Sequence, residues 1–150
     1  MRIYLVQHGK SYSKEEDPER RLTEEGIKET EKIARYLYEV GVKPTKIFHS
    51  GKKRAEMTAE IFSKHLGVEE VEKIEGINPL DDPKTVFEKL RNIEYDVMIV
   101  GHLPHLSKLT SKLVGSKEEV VKFRYSGVLS IKRVEEGYRI EWYITPDLIP

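Results

Sequence analysis

Apolar residues along this chain fall into two patterns. Short, nearly continuous runs alternate with longer stretches in which apolar positions recur every third or fourth residue. The run Met1 to Val6 reads as a buried strand spanning Arg2 to Gln7. Lys10 to Arg21 is polar, contains Pro18 and reads as an exposed loop. Thr23-Glu24-Glu25-Gly26 opens a helix with Thr23 as its N-cap; Ile27, Ile33, Ala34, Leu37 and Val40 form its apolar face, and Gly41 ends it. Lys46 to His49 is a short strand after Pro44. A second helix, capped by Ser50, carries Ala55, Ala59, Ile61, Phe62 and Leu66 on its core face and stops at Gly67. Glu69 to Ile74 reads as a strand, Asn78 to Pro83 as a loop, and Lys84 to Arg91 as a short helix. A buried strand, Tyr95 to Val100, turns at Gly101-His102-Leu103-Pro104 into a helix that ends at Val114. Gly127 to Val134 and Tyr138 to Ile144 are strands joined by Glu135-Glu136-Gly137, a hairpin turn in which glycine supplies the positive φ.

This alternation predicts one domain over residues 1–150: an α/β fold of three layers, α/β/α. Its central sheet is mainly parallel, and the closing hairpin adds an antiparallel edge. The formal net charge is zero and no block of like charge occurs, which argues against nucleic acid or a membrane surface as partner. Charged residues make up 35% of the chain and cysteine is absent, a composition expected of a thermophile's cytoplasmic protein. The absence of cysteine excludes disulfides, thiolate metal sites and cysteine nucleophiles. No apolar run approaches the ~18 residues of a membrane span, and no signal peptide is recognisable.

Three predicted strand ends carry residues with chemical potential. The first ends in Gln7-His8-Gly9, the fourth in Gly101-His102, and the second leads into Ser50-Gly51-Lys52-Lys53-Arg54. Ligand sites of open α/β sheets form at such ends. Glycine after His8 permits a sharp turn and close approach of a ligand. If the first and fourth strands are neighbours, the two imidazoles face one crevice. A basic first turn opposes the helix dipole, so Arg54 and its neighbours call for an anion. Zinc would suit two histidines, but no third ligand stands at these positions and an arginine would repel the cation. Phosphate fits better: a guanidinium holds its oxygens, and a neutral imidazole can attack phosphorus. Among the other histidines, His49 and His65 read as structural or surface residues. His105 is a candidate for the pocket mouth, and Trp142 for the core.

Four segments resemble, in order and spacing, the signatures of the histidine phosphatase superfamily. Gln7-His8-Gly9 is similar to its Arg-His-Gly, and Arg20-Arg21-Leu22-Thr23-Glu24-Glu25-Gly26 to Arg-Pro-Leu-Thr-x-x-Gly. Ser50 to Ala59 is similar to Ser-Pro-x-x-Arg-Ala-x-x-Thr-Ala, and Gly101-His102-Leu103-Pro104 to the second-histidine motif. The small size and the terminal Trp142-Tyr143-Ile144-Thr145-Pro146 resemble the SixA-type phosphohistidine phosphatase branch. The resemblance implies that His8 is the phospho-accepting nucleophile, that Arg54 binds the transferred group and that His102 stabilises its charge. Gln7 and Ser11 are further phosphate-binding candidates. No metal or cofactor is implied.

Gln7 departs from the family arginine. An amide lacks both the charge and the five-donor fork, and the lost contact is worth ~2–4 kcal/mol of transition-state stabilisation, roughly 10²–10³ in rate. Lys10, Lys52 and Lys53 are the candidate replacements. The glutamate acid of larger members also has no evident counterpart: Pro79 stands near its place, with Asp81 and Asp82 following and Asp82 suited to capping the next helix. A phosphoramidate leaving group needs such an acid less than an alkoxide does. The leading expectation is therefore a metal-independent phosphatase acting on a phosphorylated protein, specifically a protein phosphohistidine, through a phosphohistidine intermediate. The alternatives are a phosphatase for a small phosphorylated substrate, and a phosphate- or phosphoprotein-binding module weakened in catalysis by Gln7.

Overall fold

The computed structural model describes all 150 residues, Met1–Pro150. Strands β1 (Arg2–Gln7), β2 (Lys46–His49), β3 (Glu70–Lys73), β4 (Val97–Gly101), β5 (Val128–Val134) and β6 (Gly137–Ile144) form one sheet in the order β3-β2-β4-β1-β5-β6. The first four run parallel; β5 lies antiparallel to β1, and β6 completes the hairpin edge. Helices α1 (Glu24–Glu39), α2 (Lys53–Leu66), α3 (Lys84–Arg91) and α4 (His105–Val114) cover both faces. None of them is long and apolar enough to cross a membrane.

The pleat of the sheet divides the core. Ile3, Leu5, Val97 and Ile99 point to one face and pack with Leu90 of α3 and Leu109 of α4. Tyr4, Val6, Met98 and Val100 point to the other and pack with Ile33 and Leu37 of α1 and Phe62 of α2. Each of these helix side chains is removed from water, worth roughly 1.5–3 kcal/mol apiece. This is the predicted α/β/α sandwich.

Several boundaries differ from expectation for local reasons. Thr23 does cap α1, accepting Gly26 N–H at 3.0 Å. Ser50 does not cap α2: the helix starts at Lys53 after Lys52, and the Ser50 hydroxyl turns elsewhere. Val40, past the last turn of α1, is exposed, and Trp142 is only partly buried, resting on Tyr4 with ring centroids 6.1 Å apart.

Register fixes where the strand ends meet. Gln7 pairs with Gly101 and His49 with Val100, so β1, β2 and β4 finish side by side. His8 N–H then donates to the Gly101 carbonyl at 3.1 Å. Close packing holds this edge. A Cβ on Gly26, in the first turn of α1, would overlap the Lys10 carbonyl. Gly26→Ala, a change that ordinarily favours a helix, should therefore destabilise the fold by about 1–3 kcal/mol, the cost of overpacking. A denaturant midpoint that rises would refute this.

Candidate active site

His8 and His102 extend from β1 and β4, and their ring centroids lie 5.1 Å apart. His8 is buried, and its Nδ1 lies 2.7 Å from the Gly9 carbonyl. A carbonyl only accepts, so Nδ1 carries the hydrogen and donates it. In the neutral ring this leaves the lone pair on Nε2, which no protein group engages. Burial, aided by the charges of Arg54 and Arg20 and opposed by the Gly9 bond, lowers the His8 pKa to about 4. The ring is neutral at pH 7.

Gly9 serves packing rather than ligand approach. It is buried, and an added Cβ would sit 2.8 Å from Thr30 Oγ1. Its N–H donates to Thr58 Oγ1 at 2.9 Å, and Thr58 in turn donates to the Arg54 carbonyl at 2.7 Å. One α2 hydroxyl thus ties the His8 turn to the Arg54 turn. Thr58 stands four residues beyond Arg54, one helical turn on, and is the threonine of the motif that runs from Ser50 to Ala59.

Ser50 follows β2 and lies across from the end of β4. Its Oγ is 2.7 Å from His102 Nε2 and accepts Lys52 N–H at 3.3 Å. Its own hydrogen is thereby available to the imidazole. Burial, followed by the charges of His8, Arg54 and Lys52, pushes His102 down to about 3. His102 Nδ1 is buried without a partner, as are Gln7 Oε1 and Arg54 Nε. Buried polar atoms without partners are rare in folded proteins; three of the six in this one belong to this site, and the others are on His65 and His105. Arg54 is partly buried, meets no carboxylate, and has its pKa lowered by desolvation and by the Arg20 charge.

Tyr125 completes the rim. Its ring centroid lies 5.7 Å from that of His8. The next residue, Ser126, is held at φ +61 and fully buried; it bonds Thr30 Oγ1 at 2.7 Å and donates its N–H to the Gln7 carbonyl at 2.9 Å. A cleft of about 540 Å³ opens beside Gln7 and Tyr125, with Lys10, Glu25, Glu29 and Arg124 among its walls.

The remaining candidates lie elsewhere. Ser11 bridges to Leu22 and its hydroxyl contacts Arg20 rather than His8. Lys10 is paired with Glu25 at 2.8 Å and Lys53 with Glu56 at 3.4 Å, so neither is a spare cation. Asp82 accepts Lys84 N–H at the start of α3, and Asp81 accepts Asn78 N–H. His49 Nδ1 accepts Gly51 N–H at 3.0 Å, a structural role. His65 sits 3.9 Å from Glu31 on α2. His105 is wholly buried at the start of α4 and does not line the pocket mouth; burial lowers its pKa.

A sequence model described as the histidine phosphatase superfamily, branch 1, matches residues 3–81, just over half of the chain. The chain belongs to the histidine phosphatase superfamily. The matched stretch carries Gln7, His8, Ser50 and Arg54; His102 enters through the fold. Among solved structures, the protein histidine phosphatase SixA in complex with tungstate superposes with TM-score 0.88 at 24% identity, covering 99% of each chain. A protein assigned as the SixA phosphohistidine phosphatase of Agrobacterium tumefaciens gives 0.83 at 23% identity over 97% of each. A His-to-Ala mutant of phosphoserine phosphatase from Entamoeba histolytica, bound to phosphoserine, gives 0.74 at 14% over 97% of each. At these identities the likeness establishes the superfamily fold. No curated protein matches the sequence.

The two depressed histidine pKa values make a direct expectation. In an NMR titration, His8 should change charge near pH 4 and His102 near pH 3, against 6.5 for a free imidazole. Both values are lowered by folding, so the associated stability is present above about pH 6.5 and is lost as the pH falls through 4 and then 3. A His8 midpoint at or above 6.5 would contradict this geometry.

Proposed function

We propose that the protein is a metal-independent phosphatase that passes a phosphoryl group through His8, and that its substrate is a protein phosphohistidine. The observation that carries this reading is the make-up of the site. Two imidazoles kept neutral by burial stand beside a guanidinium that meets no acid, and no carboxylate acts on His8, Arg54 or His102. An anion supplies the charge such a site lacks.

His8 Nε2 forms a bond to phosphorus as the bond from phosphorus to the leaving group breaks. Arg54 holds the equatorial oxygens, and His102 stabilises the charge that develops on them. Water then attacks the phosphorus, the bond to Nε2 breaks, orthophosphate leaves, and the proton of the water passes to solvent. A phosphoimidazole departs as neutral imidazole when its distal nitrogen already carries a proton. An alkoxide needs an enzyme acid, and Asp81 and Asp82 are engaged with backbone N–H groups elsewhere. The charged, largely polar cleft beside Gln7 suits a protein surface better than a small apolar ligand. The SixA relative bound to tungstate, a tetrahedral oxyanion, supports the same reading.

The test compares a phosphohistidine protein with a phosphoserine peptide, each with and without exhaustive chelation. Phosphoserine turnover should be slower by about 10²–10⁴, the range of a missing general acid. The same rates should persist under chelation, since no three His, Asp or Glu side chains converge as a ligand set. Loss on chelation with recovery on adding zinc or manganese would reject the mechanism. Equal rates on the two substrates would reject the substrate.

A further inference from the structure

The turn that enters β5 is pinned at every residue but one. Phe123 is buried, edge-on to Tyr143 with ring centroids 5.8 Å apart. Arg124 N–H donates to the Tyr143 hydroxyl at 2.8 Å, and the Arg124 carbonyl accepts Gly127 N–H at 3.0 Å. Ser126 is held between the Gln7 carbonyl and Thr30 Oγ1. Its φ of +61 belongs to a class of conformations that concentrates at functional sites. Tyr125 takes part in none of these bonds. Its ring lies over His8 instead, with centroids 5.7 Å apart and planes tilted by 43°, yet the residue is 45% exposed. It stands outside the four segments that carry the family signatures.

Packing alone does not call for an aromatic ring here. An aliphatic side chain would cover His8 as well, and a ring left nearly half exposed adds little to the core. The uncovered part of the ring faces the cleft of about 540 Å³ beside Gln7. In the walls of that cleft Lys10 is bound to Glu25, and Arg124 to Asp147 at 3.3 Å, which leaves Glu29 without a cation. An aromatic face and an unpaired carboxylate in one cleft suit a flat, positively charged occupant.

We propose that Tyr125 recognises the leaving group of the substrate, a protonated imidazole ring that lies on its open face while His8 attacks the phosphorus. This rests on reading the site as one that dephosphorylates phosphohistidine. A phosphoimidazole whose distal nitrogen holds a proton is a flat cation, and an aromatic face attracts both its plane and its charge. As the P–N bond breaks, its electron pair returns to the ring, which departs as neutral imidazole. Tyr125 thus selects the form of the substrate that needs no acid from the enzyme. A phosphoserine side chain offers it neither a plane nor a positive charge. The attraction fades as the ring loses its charge, so it acts on substrate binding more than on the chemical step.

The experiment compares kcat/KM for free phosphohistidine with kcat/KM for phosphoramidate, which has the same P–N bond and no ring, using the full chain. In Tyr125→Leu the preference for phosphohistidine should fall by about 5- to 30-fold, the worth of a cation over an aromatic face, and the loss should appear mainly as a higher KM. Tyr125→Phe keeps the ring and should keep the preference within about threefold, and Tyr125→Trp, with the stronger face, should hold or raise it. The proposal is overturned if Tyr125→Leu slows both substrates alike, which would make the ring a cover for His8. It is overturned too if Tyr125→Phe loses as much as Tyr125→Leu, which would assign the effect to the hydroxyl. Wild-type turnover of both substrates with a preference that no variant moves rejects this inference alone. A wild type that turns over neither substrate rejects the phosphatase reading and this inference with it.

Discussion

His8→Ala should lower turnover by ~10⁴-fold or more and remove any phosphoenzyme, because no other group can take over the attack. The nucleophile needs a neutral ring, a defined tautomer and a free lone pair. His8 has all three: burial keeps it neutral, the Gly9 carbonyl fixes the hydrogen on Nδ1, and Nε2 is unengaged. His102 lacks the third, since its Nε2 is held by Ser50 and its Nδ1 is enclosed. Rapid quench with a labelled phosphoryl donor should trap an acid-labile, base-stable adduct on the wild type and none on the mutant. The backbone bond from residue 8 to Gly101 does not involve the side chain, so the sheet edge should survive the change. Orthophosphate should still bind, because the cationic groups remain. Undiminished turnover would refute the assignment, as would an adduct of the same chemistry on another histidine.

The sequence exposed those parts of the site that sit on regular elements. His8 and His102 were legible because each follows an uninterrupted apolar strand, and the parallel register of β1 with β4 then sets them together. Arg54 was legible because it opens a helix directly after a strand, where a cation needs a reason. Residues presented by irregular backbone were missed. Tyr125 precedes a left-handed Ser126, which leaves no periodic trace. Ser50 was misread because a serine before a helix usually caps it. Here the helix begins later, and the hydroxyl is nearer His102 than any free N–H of α2. Lys10 stayed open as a spare cation in the sequence because its partner Glu25, fifteen residues on, meets it only in the folded chain.

Arg54→Met should separate function from stability. The guanidinium is desolvated, its Nε has no partner, and the Arg20 charge acts on it with no acid to offset the repulsion. Each factor disfavours the folded, unliganded protein. Methionine keeps an apolar stem of similar reach and removes both the charge and the unpartnered nitrogen. Stability in the absence of phosphate should therefore hold or rise, read as a melting temperature no lower than that of the wild type. Turnover should fall by about 10²–10³, the cost of one lost contact to charge developing in the transition state. Stabilisation by added orthophosphate should shrink along with it, since ligand stabilisation follows affinity. Lysine would not rescue the site, because a point charge cannot reproduce a planar fork holding two oxygens. A melting temperature that drops while turnover is retained would mean that Arg54 holds the fold together and does not engage the phosphoryl group. Loss of turnover without loss of stability is the signature of a cation maintained, against its own solvation, for an anion that arrives with the substrate.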